Sequence, residues 1–168
     1  MDNLFEFLND EDQDFVVEFK DKKDFKLNVN CQKELGDAEN DFCNKYYFSA
    51  NMQNKNGDDL GLISFNIENN DYVFFGVVFV NSNSKNKGVG SKLVEFLEFV
   101  AQQKGIANIV GDFDTDDSAA AIFYEKRGYQ IIKTNNYEIV QKSIDINNVN
   151  ENVVVSGLKA QKQTETEK

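Results

Sequence analysis

The stretch Tyr72-Val73-Phe74-Phe75-Gly76-Val77-Val78-Phe79-Val80, followed after four residues by Lys85-Asn86-Lys87-Gly88-Val89-Gly90-Ser91, decides how the rest of the chain is read. The first part is the longest apolar run in the sequence and reads as a buried strand. It falls far short of the ~20 residues that span a bilayer. Leu93, Val94, Leu97, Val100 and Ala101 then recur at helical spacing from Ser91 to about Lys104, and Gly105 supplies a stop. The glycine-bearing segment therefore joins a buried strand to an amphipathic helix. At such a junction the first backbone N–H groups of the helix lack partners and the macrodipole adds about half a positive charge, so an anion such as phosphate is favoured. The two glycines let the backbone come close to that anion. The segment is not a Walker loop, because no Gly-Lys-Ser/Thr follows at the required spacing. Nor is it a dinucleotide fingerprint, because Leu93 stands where the third glycine belongs.

Upstream, the apolar-rich runs 15–19 and 25–29 read as strands joined by the charged turn Asp21-Lys22-Lys23-Asp24. Runs 46–52 and 60–67 flank Asn56-Gly57-Asp58, a strong hairpin signal because Asn-Gly accepts positive φ. Residues 2–9 read as a short helix, and the polar stretch 31–42 holds at most another, near Cys31 to Glu39. Downstream, 109–113 is a short strand. Asp116 or Asp117 caps a second helix from Ser118 to about Arg127, which Gly128 ends. Runs 129–133 and 137–140 make a last pair of strands. From about Asp145 the chain is polar apart from Val153-Val154-Val155. We expect one domain over 1–144, with a polar and partly disordered extension over 145–168. Its fold class is α/β (α+β), a central mixed, mostly antiparallel sheet flanked by helices.

Composition narrows the chemistry. The 168 residues carry a net charge of −11 and contain no histidine, proline or tryptophan. Without histidine there is no serine–histidine or cysteine–histidine nucleophile pair, no paired-histidine zinc helix and no imidazole base. Cys31 and Cys43 are too few for a metal cage, so no metal site is expected, and they read as free or buried thiols in a reducing compartment. The start Met1-Asp2-Asn3-Leu4-Phe5 lacks the basic and apolar regions of a signal peptide, which leads us to expect a soluble, cytoplasmic protein with no membrane partner. Only residues 81–105 hold more bases than acids, with Lys85, Lys87, Lys92 and Lys104 against Glu95 and Glu98. A chain so acidic elsewhere repels a polyanion, so nucleic acid is not an expected partner. It suits a small anion at one point and a cationic partner over the remainder. Lysine outnumbers arginine 17 to 1.

Val78-Phe79-Val80, the loop Lys85–Ser91, the apolar helix, the short strand and then Asp117-Ser118-Ala119-Ala120-Ala121-Ile122-Phe123-Tyr124-Glu125-Lys126-Arg127-Gly128-Tyr129 resemble the GNAT N-acetyltransferase superfamily over about residues 60–142. That family's acetyl-CoA loop reads Arg/Gln-x-x-Gly-x-Gly/Ala, and its later helix Asn-x-x-Ala with a Tyr-Glu-Lys-x-Gly-Phe/Tyr ending. The resemblance implies acetyl-CoA as co-substrate. It implies that the backbone amides of Lys85, Asn86, Lys87, Gly88, Val89, Gly90 and Ser91 wrap the pyrophosphate, with Asp117 nearby at the cap of the second helix. Val78, Phe79 and Val80 would pair their main chain with the pantetheine arm, and Tyr124 would protonate the departing thiolate. A phenol is a proton donor at neutral pH, in keeping with that role; the other reading of Tyr124 is a packed aromatic beside Phe123 and Tyr129.

Two residues depart from the family pattern. Lys85 keeps a point charge but loses the planar fork of arginine, and Asp117 replaces asparagine, losing an amide donor. No carboxylate lies on Tyr72–Val80 to deprotonate the acceptor; Asp71, Asp112 and Asp114 are the candidates, or water. The family walls its acceptor site with two helices after a first strand, whereas residues 12–52 read mainly as strands. We expect a reduced N-terminal helical region and an open groove, suited to a large acceptor such as a protein lysine or N-terminus. The activity implied is an acetyl-CoA-dependent N-acyltransferase, acting as monomer or homodimer by direct transfer to a primary amine, small or large. The alternative is a catalytically weak or inactive module of the same fold that binds coenzyme A or a protein partner.

Overall fold

Residues 3–9, 11–36, 44–113, 118–134 and 138–158 are described by the computed structural model. Four strands come first: β1 (Asp12–Phe19), β2 (Lys26–Glu34), β3 (Lys45–Gln53) and β4 (Asp59–Ile67), paired as a meander through antiparallel ladders. Their alternation is the one the sequence dictates. Phe15, Val17, Leu27, Val29, Phe48, Ala50, Ile63 and Phe65 are buried on one face. Asp14, Asn30, Ser49 and Ser64, paired across the strands in register, lie on the other. β5 (Val73–Val80) continues the meander, and α1 (Val89–Lys104) then crosses the buried face. Its Phe96 meets the stacked rings of Phe48 and Phe65 edge-on, with centroids 6.5 and 5.7 Å away.

After α1 the chain forms β6 (Asn108–Phe113), α2 (Ser118–Lys126), β7 (Gln130–Lys133) and β8 (Glu138–Ser143). β6 runs parallel to β5 and every other ladder is antiparallel. The mixed, mostly antiparallel sheet expected from the sequence is thus present, in the order β7-β8-β6-β5-β4-β3-β2-β1-β9. The ninth strand, β9 (Val153–Ser156), comes from the segment read as a polar extension and pairs with β1. Val153-Val154-Val155 is too short to signal a strand alone, but an open sheet edge supplies its partner. Two local readings are corrected. β2 continues to Glu34, so no helix begins at Cys31, whose buried side chain keeps the inward alternation of Leu27 and Val29. The helix expected over 2–9 is a single 3-10 turn, Leu4–Glu6, capped by Asn3, with Leu4 and Leu8 buried.

Both helices lie on the same face. Phe65 and Phe75 are register partners, and Phe65 packs on α1 while Phe75 packs on Tyr124 of α2, with centroids 5.5 Å apart. The opposite face carries no helix among the described residues. No described helix is long and apolar enough to cross a membrane.

The feature that shapes the centre of the sheet is local to β5 and β6. Ser64 pairs with Val77 while Phe65 pairs with Phe75, so Gly76 is an extra, bulged residue on β5. On its other side β5 pairs with β6 only at Val73–Ile109, Phe74–Val110 and Phe75–Gly111. Beyond that point the two strands part. Gly111 is required there, because a Cβ on it would lie 2.3 Å from the Phe75 ring. A polar network ties α1 to the far edge of the sheet. Lys92 pairs with Asp21 at 2.7 Å and Glu95 at 2.8 Å, and Asn150 and Asn152 donate to Glu95.

Two predictions follow from this packing. Gly111→Ala forces the Phe75 ring to move and costs about 1–3 kcal/mol, the usual range for overpacking, read as a lower urea midpoint with unchanged slope. The second concerns acid. Burial raises the pKa of Glu95, but hydrogen bonds from Asn152, Lys92 and Asn150 outweigh it and hold the carboxyl below its ordinary value. Asp21 is lowered by its hydrogen bonds from Lys92 and Asn152. A depressed carboxylate contributes stability that is complete above its unfolded pKa and lost as pH falls through the folded one. Stability measured by urea unfolding therefore drops from about pH 5 to about pH 3, and Glu95→Gln makes that drop shallower.

Candidate functional site

Where β5 and β6 part, residues 76–80 of β5 keep β4 on one side and, among the described residues, have no strand partner on the other. The bulge sets the side chains: Val78 and Val80 pack toward the core, while Val77 and Phe79 turn outward at 46% and 54% exposure. Such a free strand edge can take an extended ligand by main-chain hydrogen bonding.

The chain leaves Val80 through a short 3-10 turn, Ser82–Ser84, and enters α1 through Lys85, Asn86, Lys87 and Gly88, all exposed. Asn86 at φ +66° and Gly88 at φ +86° bend the loop back over the helix start. A Cβ at position 88 meets nothing within 4 Å, so glycine serves backbone shape there. Gly88 is the N-cap residue and makes no side-chain capping bond. The first hydrogen bond of the helix runs from Lys92 N–H to Gly88 C=O, 3.1 Å, so the N–H groups of Val89, Gly90 and Ser91 precede it. This is the amide-lined helix terminus anticipated from the sequence, and it can accept an anion. Gly90 has a different reason: a Cβ there would sit 2.8 Å from the Phe123 ring of α2.

Tyr124 stands at the fork of the two strands. It is 5% exposed, and its ring lies 5.5 Å from Phe75, the last residue of β5 paired with β6, and 5.7 Å from Phe113, the end of β6. Phe123 and Tyr129 complete the cluster at 5.2 and 5.8 Å. Tyr129 donates to Glu98 at 2.8 Å, and burial together with that carboxylate pushes its phenol up, so Tyr129 keeps its proton. The loop and α2 meet through Gly90, which lies against Val80 of β5 and against Phe123, the neighbour of Tyr124. Asp117 lies outside the described residues, as do Asp114 and Cys43.

The structure also redistributes the charges. Lys92 is engaged by Asp21 and Glu95, and Lys104 stacks on Phe5 and Tyr46 at the far end of α1, leaving Lys85 and Lys87 at the loop. Among the candidate bases, Asp71 lines a cleft of about 430 Å³ with Asn108 and Lys142, at the other end of β5 and β6. Asp112 follows Gly111 on β6, is exposed, and faces the helix-free side just past the fork. The residue that sequence reading missed is Arg127. It donates from Nη1 to the Phe123 carbonyl at 2.8 Å and from Nη2 to Ser91 Oγ, and stacks 3.7 Å from the Phe123 ring centroid. Burial lowers its pKa, against the pull of Glu98 and Tyr129. Its signal was compositional, as the only arginine in a lysine-rich chain.

A sequence profile of the acetyltransferase (GNAT) domain matches residues 44–131, just over half of the chain. That span runs from β3 into β7 and includes the parted strands, the loop, Tyr124 and Arg127. No match was found among curated protein sequences. Among solved structures, the fold is similar to the PaiA N-acetyltransferase of Thermoplasma acidophilum in complex with coenzyme A, at 19% identity and TM-score 0.52, covering 60% of this chain and 61% of that one. It is similar to an acetyltransferase from Bacillus cereus, at 20% identity and TM-score 0.52, covering 60% and 74%. Ard1 from Thermoplasma volcanium is similar at 17% identity and TM-score 0.53, covering 58% and 70%. The alignment thus spans about three fifths of the first of these proteins, and at these identities the likeness is one of fold. With the motifs, the parted strands and the profile match in agreement, the chain belongs to the GNAT acetyltransferase family.

Proposed function

We propose that the protein is an acetyl-CoA-dependent N-acyltransferase that passes an acetyl group directly to a primary amine on a large, cationic acceptor, within the cytoplasm. The observation that carries this reading is the fork between β5 and β6, with an uncapped, glycine-shaped helix start on one side and Tyr124 on the other. When bound, acetyl-CoA supplies an activated thioester carbonyl. The amides of Lys85 to Ser91 hold the pyrophosphate, which suits the exposure of Lys85 to Gly88 and the helix dipole. The main chain of Val78 to Val80 pairs with the pantetheine arm as an added strand, and one N–H there polarises the carbonyl. As the C–N bond forms and the C–S bond breaks, the phenol of Tyr124 donates its proton to the thiolate. The proton leaving the amine passes to Asp112 or to water. Holding the amine against the thioester supplies much of the rate, since the nucleophile needs no activation beyond losing that proton.

The helix-free face supports this acceptor class. Val77 and Phe79 lie exposed on it beside the fork, and Asp12, Asp14, Glu18, Glu34 and Asp59 occupy its outward positions against Lys26 and Lys45. An open, acidic surface admits a lysine-bearing polypeptide and attracts it. A second reading has its own support: Tyr124 is packed in an aromatic cluster and β5 carries no carboxylate, as in a module that binds coenzyme A without turning it over.

Two measurements decide. Acetyl-CoA and desulfo-CoA at about 100 times Kd each add about 2.7 kcal/mol of stability, seen as a rise in Tm of several degrees, whereas ATP adds none. Gly88→Glu removes that rise through strained backbone and added negative charge; absence of a rise in the wild type with every coenzyme A species rejects the reading. In thiol-release assays with lysine-rich peptides, Tyr124→Phe slows turnover by about 100-fold or more while the affinity for coenzyme A stays within about twofold. Binding without release by the wild type establishes the module instead.

A further inference from the structure

We infer that Arg127 completes the anion site at the start of α1, acting through the hydroxyl of Ser91 and supplying from α2 the guanidinium that position 85 lacks. The inference rests on the coenzyme A reading above and adds a positioning residue to it.

The charge inventory poses the problem. A pyrophosphate carries more than one negative charge, yet of the four lysines in the basic interval only Lys85 and Lys87 stand at the loop, both as flexible point charges. Arg127 lies one residue beyond α2 and reaches back across the helix pair to Ser91. Its plane is fixed from two sides, by the Phe123 ring 3.7 Å from Cζ and by the Phe123 carbonyl 2.8 Å from Nη1. Phe123 in turn fills the space next to Gly90. Gly90, Ser91, Phe123 and Arg127 are therefore one contact set at the end of α1 where its amides are unpaired.

Ser91 is the third residue of α1, and in a helix the Cα–Cβ bond leans toward the N-terminus, which brings Oγ toward the loop. A hydroxyl oxygen that accepts from a guanidinium must turn its own hydrogen to another acceptor. Arg127 thus makes Ser91 a donor aimed away from α2, with a positive charge behind it. The guanidinium is held at a cost in the free protein. Its Nε is buried without a hydrogen-bond partner, and among the described residues it makes no ion pair, because Glu98 is engaged by Tyr129 and Lys142. An anion at the helix start offsets that cost. A simple brace between two helices would be served by a neutral or aliphatic side chain and would leave ligand electrostatics unchanged.

The test is calorimetric titration of coenzyme A into the full chain at about 50 and about 200 mM salt, a range over which screening changes appreciably. Wild type is compared with Arg127→Gln, Ser91→Ala and the double variant. Loss of a charge-assisted hydrogen bond corresponds to about tenfold in Kd. We expect that loss for Arg127→Gln, a similar loss for Ser91→Ala, a double variant no weaker than the weaker single, and reduced salt dependence in all three. Ser91→Ala keeps the helix packing, so it carries the test if Arg127→Gln does not fold. Affinity within about twofold of wild type, with unchanged salt dependence, overturns the inference and leaves the coenzyme A reading standing. Additive losses overturn the route through Ser91. No binding by wild type overturns both.

Discussion

The site depends on one contact, the ring of Phe75 lying over the bare backbone of Gly111. The ring takes the place of a side chain on β6, and the bulge at Gly76 follows at once, so parallel pairing ends after three residues. From that ending comes the free edge of Gly76–Val80. The same ring is the floor on which Tyr124 and Tyr129 pack, 5.5 and 6.2 Å away, and so it draws α2 over the fork. With α2 in place, Phe123 reaches Gly90 and Arg127 reaches Ser91. One aromatic–glycine contact thereby couples the parting of the strands to the start of α1.

Placing both helices on one face divides the molecule by chemistry. The helix-covered face holds the loop amides, Lys85, Lys87 and Arg127, and is where an anionic ligand is favoured. The helix-free face is polar and acidic, with a short apolar strip of Leu62, Val77 and Phe79 beside the fork. Anionic and cationic ligands are thus favoured on opposite sides of one sheet. Lys92 illustrates how a charge can be misassigned from sequence: it lies within the basic interval, yet its ammonium pairs with Asp21 and with Glu95, the carboxylate that also accepts from Asn150 and Asn152.

Much of the fold was legible because local rules and tertiary packing agree. Alternating runs became strands, Asn56-Gly57 a hairpin, and Leu93, Val94, Leu97 and Val100 the buried stripe of α1. The misses share a cause. Cys31–Glu34 looked polar, but its single inward cysteine suffices when Phe48 is its register partner across the ladder. Val153–Ser156 is a strand only because β1 offers an edge. In the site, the loop was legible because its function resides in backbone, and glycines mark backbone shape. Arg127 was not, because its meaning lies in a partner 36 residues away.

The sequence by itself determined the order of elements, the glycine-shaped helix start, the absence of imidazole chemistry and the family motifs, since each is a property of neighbours along the chain. Tertiary structure alone decided where β5 and β6 separate, which lysines remain at the loop and what Arg127 touches. Those depend on side chains far apart in sequence competing for the same space and the same charges, and only the closed packing of the core settles that competition.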